Sequence, residues 1–245
     1  MYIVRWLTSR WFRDNNAYGR QQWLARVLGG MTAGQTILDA GAGELQNRKW
    51  CEHLVYTSQD VCVYDGSGDS RGLQTGQWDT TSVDWVCDIL DIPDGEIFDI
   101  VLCSEVLEHT VDPVRILGKL ATLVRPGGYL ILTAPFASMV HFAPHFHCTG
   151  FSRYWYEHHL SQLGCSIIEL TPNSGWAGVL RQELIRLPSV TGRANPWLAW
   201  MYALLALPLI IALTRRASST ADSDIGCFGW YCLAKRASPL NTEAQ

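Results

Sequence analysis

Apolar and polar positions alternate along this chain in the manner of an α/β protein. Short apolar runs that end in acidic or glycine-rich turns predict strands, and segments with helical spacing follow several of them. The predicted strands cover residues 36–40, 54–59, 84–87, 97–103, 129–134, 165–170 and 227–234, and the predicted helices cover 46–53, 113–124 and 152–163. This order predicts a mostly parallel, doubly wound sheet that binds ligands at the carboxyl ends of its strands.

Two further segments lie outside this alternation. The first 30 residues contain two amphipathic runs, at 2–12 and 18–28, and Gly29-Gly30 is typical of a helix end. Residues 171–224 separate the last strand from the others, and they include seventeen consecutive uncharged residues at 197–213. We expect a single domain over 1–245 with four parts: N-terminal amphipathic helices (1–30), a core (31–170), an apolar insertion (171–224) and the last strand (225–236).

Charge and cysteine content narrow the possible partners and compartments. The net charge of −4 argues against a general nucleic-acid binder, which would be basic. Residues 1–30 and 181–216 nevertheless each carry five arginines against one acid. The eight cysteines are scattered, with no Cys-x-x-Cys pair, which predicts reduced thiols in a cytoplasmic protein.

The apolar insertion allows three interpretations. A helix on a membrane surface fits the flanking residues, with Trp197 and Trp200 at one end and Arg215 and Arg216 at the other. A buried insert or an oligomer contact fits its apolar character equally well. A membrane span is disfavoured, because the strand that follows must return to the same sheet. The expected location is therefore the cytoplasm, with contact to the inner face of a membrane as one alternative.

Acidic residues follow the first three predicted strands. Asp39 precedes a turn with Gly41 and Gly43, where the missing side chains let a ligand approach the backbone. Asp60 ends the second strand, where a carboxylate can accept hydrogen bonds from ribose hydroxyls. Asp88 ends the third, with Ile89 beside it for an adenine ring. Each acid alone is more typical of a helix cap or a loop, but the series favours an adenosine-binding site.

Four segments carry a resemblance to a known family. ILDAGAG, VCDILDIP, FDIVLCSEVLEH followed by DP, and LVRPGGYLILTAP resemble the class I S-adenosylmethionine-dependent methyltransferases over residues 36–170 and the last strand. The resemblance implies a Rossmann-like, seven-stranded sheet with an antiparallel last strand, and S-adenosylmethionine as the cofactor. Residues 31–170 would then be the cofactor-binding core.

The resemblance also implies roles for individual residues. Asp39, Gly41 and Gly43 would surround the methionine part of the cofactor, and Asp60 would bind the ribose. Asp65 is the alternative ribose ligand. The remaining implied cofactor residues are Asp88 and Ile89 at the adenine, and Ser104 and Glu105 at the floor of the site.

Glu108 and His109 are the candidate catalytic residues. Either one can act as a general base if the acceptor is a hydroxyl. Glu105-x-x-Glu108-His109 also resembles a Mg²⁺-binding motif of ubiquinone-pathway O-methyltransferases and small-RNA 2′-O-methyltransferases. The third alternative is a structural role, so the presence of a metal remains open.

The segment after the fifth predicted strand, residues 141–160, resembles the acceptor-side loop of polysaccharide- and lipid-associated members of the family. It is rich in aromatic and histidine residues, which can stack on a sugar or another ring-bearing acceptor. The same features fit a lid that packs over the cofactor alone. A zinc site made of its histidines is disfavoured, because no cysteine or acid completes the ligand spacing. The candidate acceptor residues are His141, His145, His147, Arg153 and Tyr154.

We therefore expect a methyltransferase that acts at oxygen on a small-molecule, sugar or lipid-linked acceptor, with no nucleic-acid partner. A nicotinamide-dependent oxidoreductase or epimerase is an alternative, but the third glycine of its fingerprint is replaced by Gln46 and no Tyr-x-x-x-Lys pair is present. A non-catalytic scaffold that retains the cofactor fold is the other alternative. The oligomeric state is not predicted.

Overall fold

The computed structural model describes residues 15–191, 196–214 and 220–238. The chain divides into two compact units. The sheet unit comprises Trp23–Thr171 and Gly229–Gln245. The second unit comprises Met1–Gln22 and Pro172–Phe228, and it is called the hairpin unit after the two helices that pack together within it. The predicted helix at 2–12 lies outside the described residues, and the single-domain organisation remains a prediction.

Five helices and seven strands are described. The helices are α1 (Asn15–Gly29), α2 (Pro113–Leu123), α3 (Arg153–Gln162), α4 (Trp176–Thr191) and α5 (Pro196–Thr214). The strands are β1 (Thr36–Ala40), β2 (Val55–Asp60), β3 (Trp85–Val86), β4 (Phe98–Ser104), β5 (Val124–Pro135), β6 (Cys165–Pro172) and β7 (Gly229–Arg236). Short 3₁₀ helices lie at Arg48–Trp50, Ile89–Asp91 and Leu107–His109.

The seven strands form one sheet in the order β3-β2-β1-β4-β5-β7-β6. The pairs from β3 through β5 are parallel, and β7 pairs antiparallel with β5. The predicted doubly wound sheet with an antiparallel last strand is confirmed. Because β2, β1 and β4 are neighbours, their carboxyl ends bring the turns after residues 40, 60 and 104 to one edge of the sheet.

The second half of helix α1, from Trp23 onward, packs on one face of this sheet. Its apolar residues Trp23, Leu24, Val27 and Leu28 are spaced for one side of a helix, and all four are buried against β1, β4, β5 and β7. The Trp23 ring stacks on Tyr231 with centroids 5.3 Å apart. Each such buried side chain stabilises the fold by about 1.5–3 kcal/mol.

Two local predictions differ from the structure. The predicted helix at 46–53 is wrong: turns and the 3₁₀ helix Arg48–Trp50 occupy this segment. Leu45 has a φ of +58°, which is incompatible with continuation into an α-helix. Strand β5 begins at Val124, five residues earlier than predicted, and a register shift against Phe98 and Ile100 accommodates Gly127 at a φ of +78°.

The hairpin unit contains most of the insertion, whose described residues include helices α4 and α5. Within this unit the Arg181 guanidinium donates to the Thr214 hydroxyl (3.2 Å), and the Ala177 N–H donates to the Asp222 carboxylate (2.9 Å). Helix α5 has exposed apolar side chains, and Trp197 is the most exposed of those that the structure describes, at 84%. Among the described residues, none of the helices has the length and hydrophobicity needed to cross a membrane.

Candidate functional site

The glycine turn after β1 is fixed by the end of β2. The Gly41 N–H donates to the backbone oxygen of Gln59 (2.8 Å), and the Gly43 N–H donates to the Asp60 carboxylate (2.9 Å). Both glycines have positive φ, +74° and +52°. A β-carbon at Gly41 would lie 2.3 Å from a methyl of Val106, so this turn packs directly against the turn after β4.

Asp39 is the buried carboxylate beneath this turn, with 1% of its surface exposed. The Tyr56 hydroxyl donates to its Oδ2 at 2.7 Å, and the Asn47 amide donates to the same oxygen at 3.4 Å. Its Oδ1 has no hydrogen-bond partner among the described residues. Burial raises the pKa of Asp39 to about 6, although the Tyr56 hydrogen bond opposes this shift.

The two candidate ribose acids differ in their surroundings. Asp60 accepts the N–H groups of Gly43 and Cys62, so its carboxylate lies at the glycine turn. The described side-chain hydrogen bonds of Asp65 are local: its Oδ1 accepts the N–H groups of Ser67 and Gly68. These bonds hold the pKa of the exposed Asp65 carboxyl below its usual value. Of the two carboxylates, Asp60 is the one that accepts a hydrogen bond from the glycine turn, and its assignment to the ribose stays a prediction.

The two candidate adenine residues follow β3. The Asp88 carboxylate accepts the Leu90 N–H at 2.8 Å and so caps the 3₁₀ helix Ile89–Asp91. Asp88 itself is exposed, and Ile89 is 6% exposed. The capping role that was the simpler alternative for Asp88 is therefore present, and its contact with an adenine stays a prediction.

The end of β4 is tied to β5 through Thr133. The Ser104 and Thr133 hydroxyls lie 2.8 Å apart, and the Thr133 hydroxyl donates to the Glu105 carboxylate at 3.0 Å. Glu105 has a φ of +58°, which turns the chain sharply after the strand. These contacts hold the two predicted floor residues at the same sheet edge as the glycine turn.

His109 is a largely buried imidazole in a defined orientation. Its Nδ1 lies 2.5 Å from the backbone oxygen of His145, and because a carbonyl can only accept, Nδ1 carries the proton. Burial lowers the pKa of His109 to about 4, against the opposing effect of the His145 hydrogen bond. The ring is therefore neutral near pH 7, with a lone pair on Nε2. That nitrogen has no hydrogen-bond partner among the described residues.

Glu108, His109 and His141 come together as one group. Their possible ligand atoms all lie within 4.8 Å of one another, and Glu108 is fully buried, with its Oε1 3.7 Å from His109 Nε2. The His141 Nδ1 lies 2.9 Å from the backbone oxygen of Met139, which leaves its Nε2 as the lone-pair nitrogen. Glu105, which the motif had placed with Glu108 and His109, is not part of this group.

The other candidate acceptor residues have different positions. His145 and His147 contribute backbone groups: His145 accepts from His109, and the His147 N–H donates to the backbone oxygen of Glu108 at 2.9 Å. Arg153 and Tyr154 begin α3, where Arg153 forms an ion pair with Glu157 at 2.9 Å and Tyr154 is exposed. The described contacts of Arg153 and Tyr154 do not include the group around His109.

Comparison with known families identifies the chain. The family model described as a methyltransferase domain matches residues 12–191, which is most of the chain. The chain belongs to the methyltransferase-domain family. This membership confirms the resemblance to class I S-adenosylmethionine-dependent methyltransferases and, with it, the predicted cofactor.

The matches between this methyltransferase and its relatives cover only part of the relatives' length. The ubiquinone biosynthesis O-methyltransferase of Ralstonia nicotianae is 46% identical over 144 residues, which cover 52% of this chain and 57% of that protein. A protein of the same name from Coxiella burnetii is 37% identical over 54 residues, which cover 21% of this chain and 23% of that protein. The chain thus matches less than two thirds of the length of these relatives.

A solved structure shows the same fold at low sequence identity. The cyclase SpnF matches with a TM-score of 0.52 and 16% identity, over 88% of this chain and 80% of that one. At this identity the likeness supports the Rossmann-like fold of the methyltransferase and nothing further.

The group around Glu108 fits a divalent cation in this methyltransferase. Both imidazoles donate Nδ1–H to backbone carbonyls, the arrangement that orients metal-binding histidines in proteins. The neutral state of His109 also keeps its Nε2 available as a ligand. Two imidazoles and one carboxylate suit a transition-metal ion better than Mg²⁺, which prefers oxygen ligands.

Sequence reasoning missed several residues of the site. Gln59 is buried and supports the glycine turn through its side-chain and backbone oxygens, and Trp78 lies against Gly43, 3.0 Å from a β-carbon built there. Gln59 carries no sequence signal beyond its place next to Asp60. Trp78 is a tryptophan in a polar, glycine-rich loop, which is a signal that could have been used.

Proposed function

We propose that the protein transfers the methyl group of S-adenosylmethionine to an oxygen of a small-molecule acceptor. The observation that carries the proposal is the His109 imidazole: it is held by His145, neutral near pH 7, and presents an Nε2 lone pair with no partner among the described residues. The names of the curated relatives, which are O-methyltransferases, agree with an oxygen acceptor.

The reaction is an in-line displacement. The acceptor oxygen attacks the methyl carbon, the carbon–sulfur bond breaks with its electron pair, and the sulfonium becomes a neutral thioether. The hydroxyl proton of the acceptor then passes to His109 Nε2. The protein mainly has to align the oxygen with the methyl group and exclude water.

The low pKa of His109 favours an acidic acceptor. An imidazole with a pKa of about 4 is a weak base, so it does not deprotonate an aliphatic alcohol before the methyl group moves. A phenol, with a pKa of about 10, needs less help, and its proton becomes more acidic as the new bond forms. A phenolic hydroxyl is therefore the acceptor that this site suits best.

A metal-assisted reaction is the second candidate, favoured by the convergence of Glu108, His109 and His141. These residues would hold the ion, which would lower the pKa of a bound acceptor hydroxyl. The Nε2 lone pair of His109 can bind the ion or accept a proton, but it cannot do both at once. An experiment can therefore distinguish the metal-assisted reaction from base catalysis by His109. Chelation should abolish activity in the metal-assisted case and leave it unchanged if His109 is the base.

The experiment that tests the function is transfer of labelled methyl from S-adenosylmethionine into a cell lysate. The lysate is afterwards separated into small-molecule, lipid, glycan, protein and RNA fractions. We expect label in the small-molecule fraction as an ether. S-adenosylhomocysteine binding by calorimetry without label in any fraction would instead favour the non-catalytic scaffold, and label confined to another fraction would contradict the acceptor class.

We also propose that α5 rests on an anionic membrane surface. The helix contains no charged residue, and Trp197, Leu204 and Leu205 are 84%, 67% and 71% exposed. Soluble proteins rarely expose this much contiguous apolar surface without a partner. Residues 181–216 carry five arginines against one acid, which complements anionic lipid headgroups.

Flotation with phosphatidylglycerol vesicles tests this contact. The double variant Leu204→Gln/Leu205→Gln should lower vesicle binding at least about fivefold. Val111→Gln is the matched control, because Val111 is an exposed apolar residue of the sheet unit. Absence of vesicle binding by the unaltered protein, together with a dimer that the double variant dissociates, would show an oligomer contact instead.

A further inference from the structure

The ring of Phe142 stacks nearly parallel to two other rings. It stacks on the His109 imidazole, with centroids 4.9 Å apart and 14° between the planes. It also stacks on Tyr64, with centroids 4.4 Å apart and 17° between the planes. The Nδ1 hydrogen bond to His145 fixes the rotation of the imidazole within its plane, and Phe142 fixes the plane itself.

The backbone of Phe142 has an unfavourable conformation. Its φ of +54° lies in the left-handed region, which bulky residues rarely adopt. The Phe142 N–H donates to the backbone oxygen of Leu73 (3.1 Å), and its own oxygen accepts the His145 N–H (2.9 Å). Conformations of this kind persist where the surroundings enforce them, and they are concentrated at ligand sites.

The segment that enforces this conformation is the loop after β2. Its Leu73 N–H donates to the backbone oxygen of Val140 at 2.9 Å. Gly68 and Gly72 allow close contact, since β-carbons there would lie 2.0 Å from the oxygen of Ala143 and 2.5 Å from that of Val140. The loop after β2 and the acceptor-side loop after β5 therefore form one connected structure.

Trp78 extends this structure to the glycine turn. Its ring meets Phe142 edge-on at 5.2 Å and Tyr64 edge-on at 5.0 Å. The same ring lies 3.0 Å from a β-carbon built on Gly43. Direct contacts thus run from the glycine turn through Trp78 and Phe142 to His109.

We propose that Phe142 is a positioning residue: it sets the plane of the His109 imidazole and, through Trp78, links that plane to the glycine turn. A cofactor that orders the glycine turn then aligns the imidazole toward the acceptor. The consequence for catalysis rests on the proposed function of His109, whereas the position of the ring is measurable without any acceptor.

The experiment is nuclear magnetic resonance of the histidine ring nitrogens, with and without S-adenosylhomocysteine as the probe. Five variants are compared with the unaltered protein, one of which, Trp78→Leu, removes the ring next to Gly43. Phe142→Leu removes the ring, Phe142→Tyr retains it, Tyr64→Leu removes the outer ring of the stack, and Tyr64→Phe retains it. The signals of His109 are assigned by their loss in His109→Gln, and circular dichroism verifies folding.

In the unaltered protein we expect one sharp Nδ1–H signal for His109 that shifts when S-adenosylhomocysteine binds. Phe142→Leu should lose this signal or mix in the other tautomer, and Phe142→Tyr should restore it. Trp78→Leu should retain the signal but lose its shift on ligand binding. An unchanged sharp signal in folded Phe142→Leu overturns the proposal; if that variant does not fold, an unchanged signal in Tyr64→Leu does so.

Methyl transfer into the labelled lysate fraction gives the functional readout. Phe142→Leu should lower kcat at least about tenfold, with the KM for S-adenosylmethionine changed less than about threefold. If His109→Gln has full activity while the resonance changes occur as described, the assigned role of His109 fails and the positioning by Phe142 stands. Equal losses of kcat in Phe142→Leu and Phe142→Tyr would contradict the positioning role.

Discussion

Substitution of Gly41 by alanine should destabilise the protein through a contact with the turn after β4. Gly41 has a φ of +74°, and a β-carbon there would lie 2.3 Å and 2.9 Å from the two methyl groups of Val106. Contacts shorter than 3 Å require movement, and Val106 directly precedes the 3₁₀ helix Leu107–His109. The substitution therefore disturbs the glycine turn and the candidate catalytic residues together.

Two contributions set the size of the effect. An L-residue in the left-handed region costs about 1–2 kcal/mol. Insertion of a methyl group into the packed contact with Val106 costs about 1–3 kcal/mol. The free energy of unfolding of Gly41→Ala should therefore fall by about 2–5 kcal/mol.

Urea unfolding followed by circular dichroism measures this change, and two further variants separate its parts. Gly34→Ala is the matched control, because Gly34 also has positive φ, +82°, but its β-carbon would meet no atom within 4 Å. It should show the backbone contribution alone. The double variant Gly41→Ala/Val106→Ala should be less destabilised than the sum of its single variants. Equal losses in Gly41→Ala and Gly34→Ala would refute the steric argument.

The remaining predictions concern ionisation and binding. Because the pKa of Asp39 is raised to about 6, its folded form binds a proton more readily than the unfolded chain, so its contribution to stability falls by about 3 kcal/mol as pH rises from about 4 to 6. Because the pKa of His109 is lowered to about 4, its contribution to stability instead rises with pH between about pH 4 and 6.5. Urea unfolding across this range should therefore show stability rising with pH in Asp39→Asn and falling with pH in His109→Gln; equal profiles in the two variants would contradict both assignments. Asp60→Asn should weaken S-adenosylhomocysteine binding about tenfold by calorimetry and Asp65→Asn less than about threefold, and the reverse order would make Asp65 the ribose ligand. His141→Ala should weaken zinc binding at least about tenfold, and unchanged zinc binding would exclude the proposed metal group.

Most of the fold could be predicted because the strands and helices have local sequence patterns. The apolar strands end at acids or small turns, and Asp112-Pro113 predicts the start of α2, where the Asp112 carboxylate accepts the Arg115 N–H at 3.0 Å. The segment at 46–53 could not be predicted in the same way. Its backbone depends on Leu45 at positive φ and on the side-chain hydrogen bond between Asn47 and Asp39, which are tertiary features.

The site was predictable only in part. Glu108 and His109 come from one motif, but their partner His141 lies more than thirty residues away and reaches them through the connected loops after β2 and β5. The role of Gly68 and Gly72 in that connection depends on backbone distances to Ala143 and Val140. Such contacts between loops leave no periodic pattern in a sequence.

The most direct test of the central claim is methyl transfer from ¹³C-methyl-labelled S-adenosylmethionine to a small-molecule extract, with unaltered protein and His109→Gln compared at equal concentration. Carbon resonance spectra distinguish O-methyl from N-methyl and S-methyl products, and calorimetry with S-adenosylhomocysteine verifies that both proteins bind the cofactor product. We predict an O-methyl product with the unaltered protein and at least about a hundredfold less with His109→Gln. A product methylated at nitrogen or sulfur, or equal O-methylation by both proteins, would contradict the account.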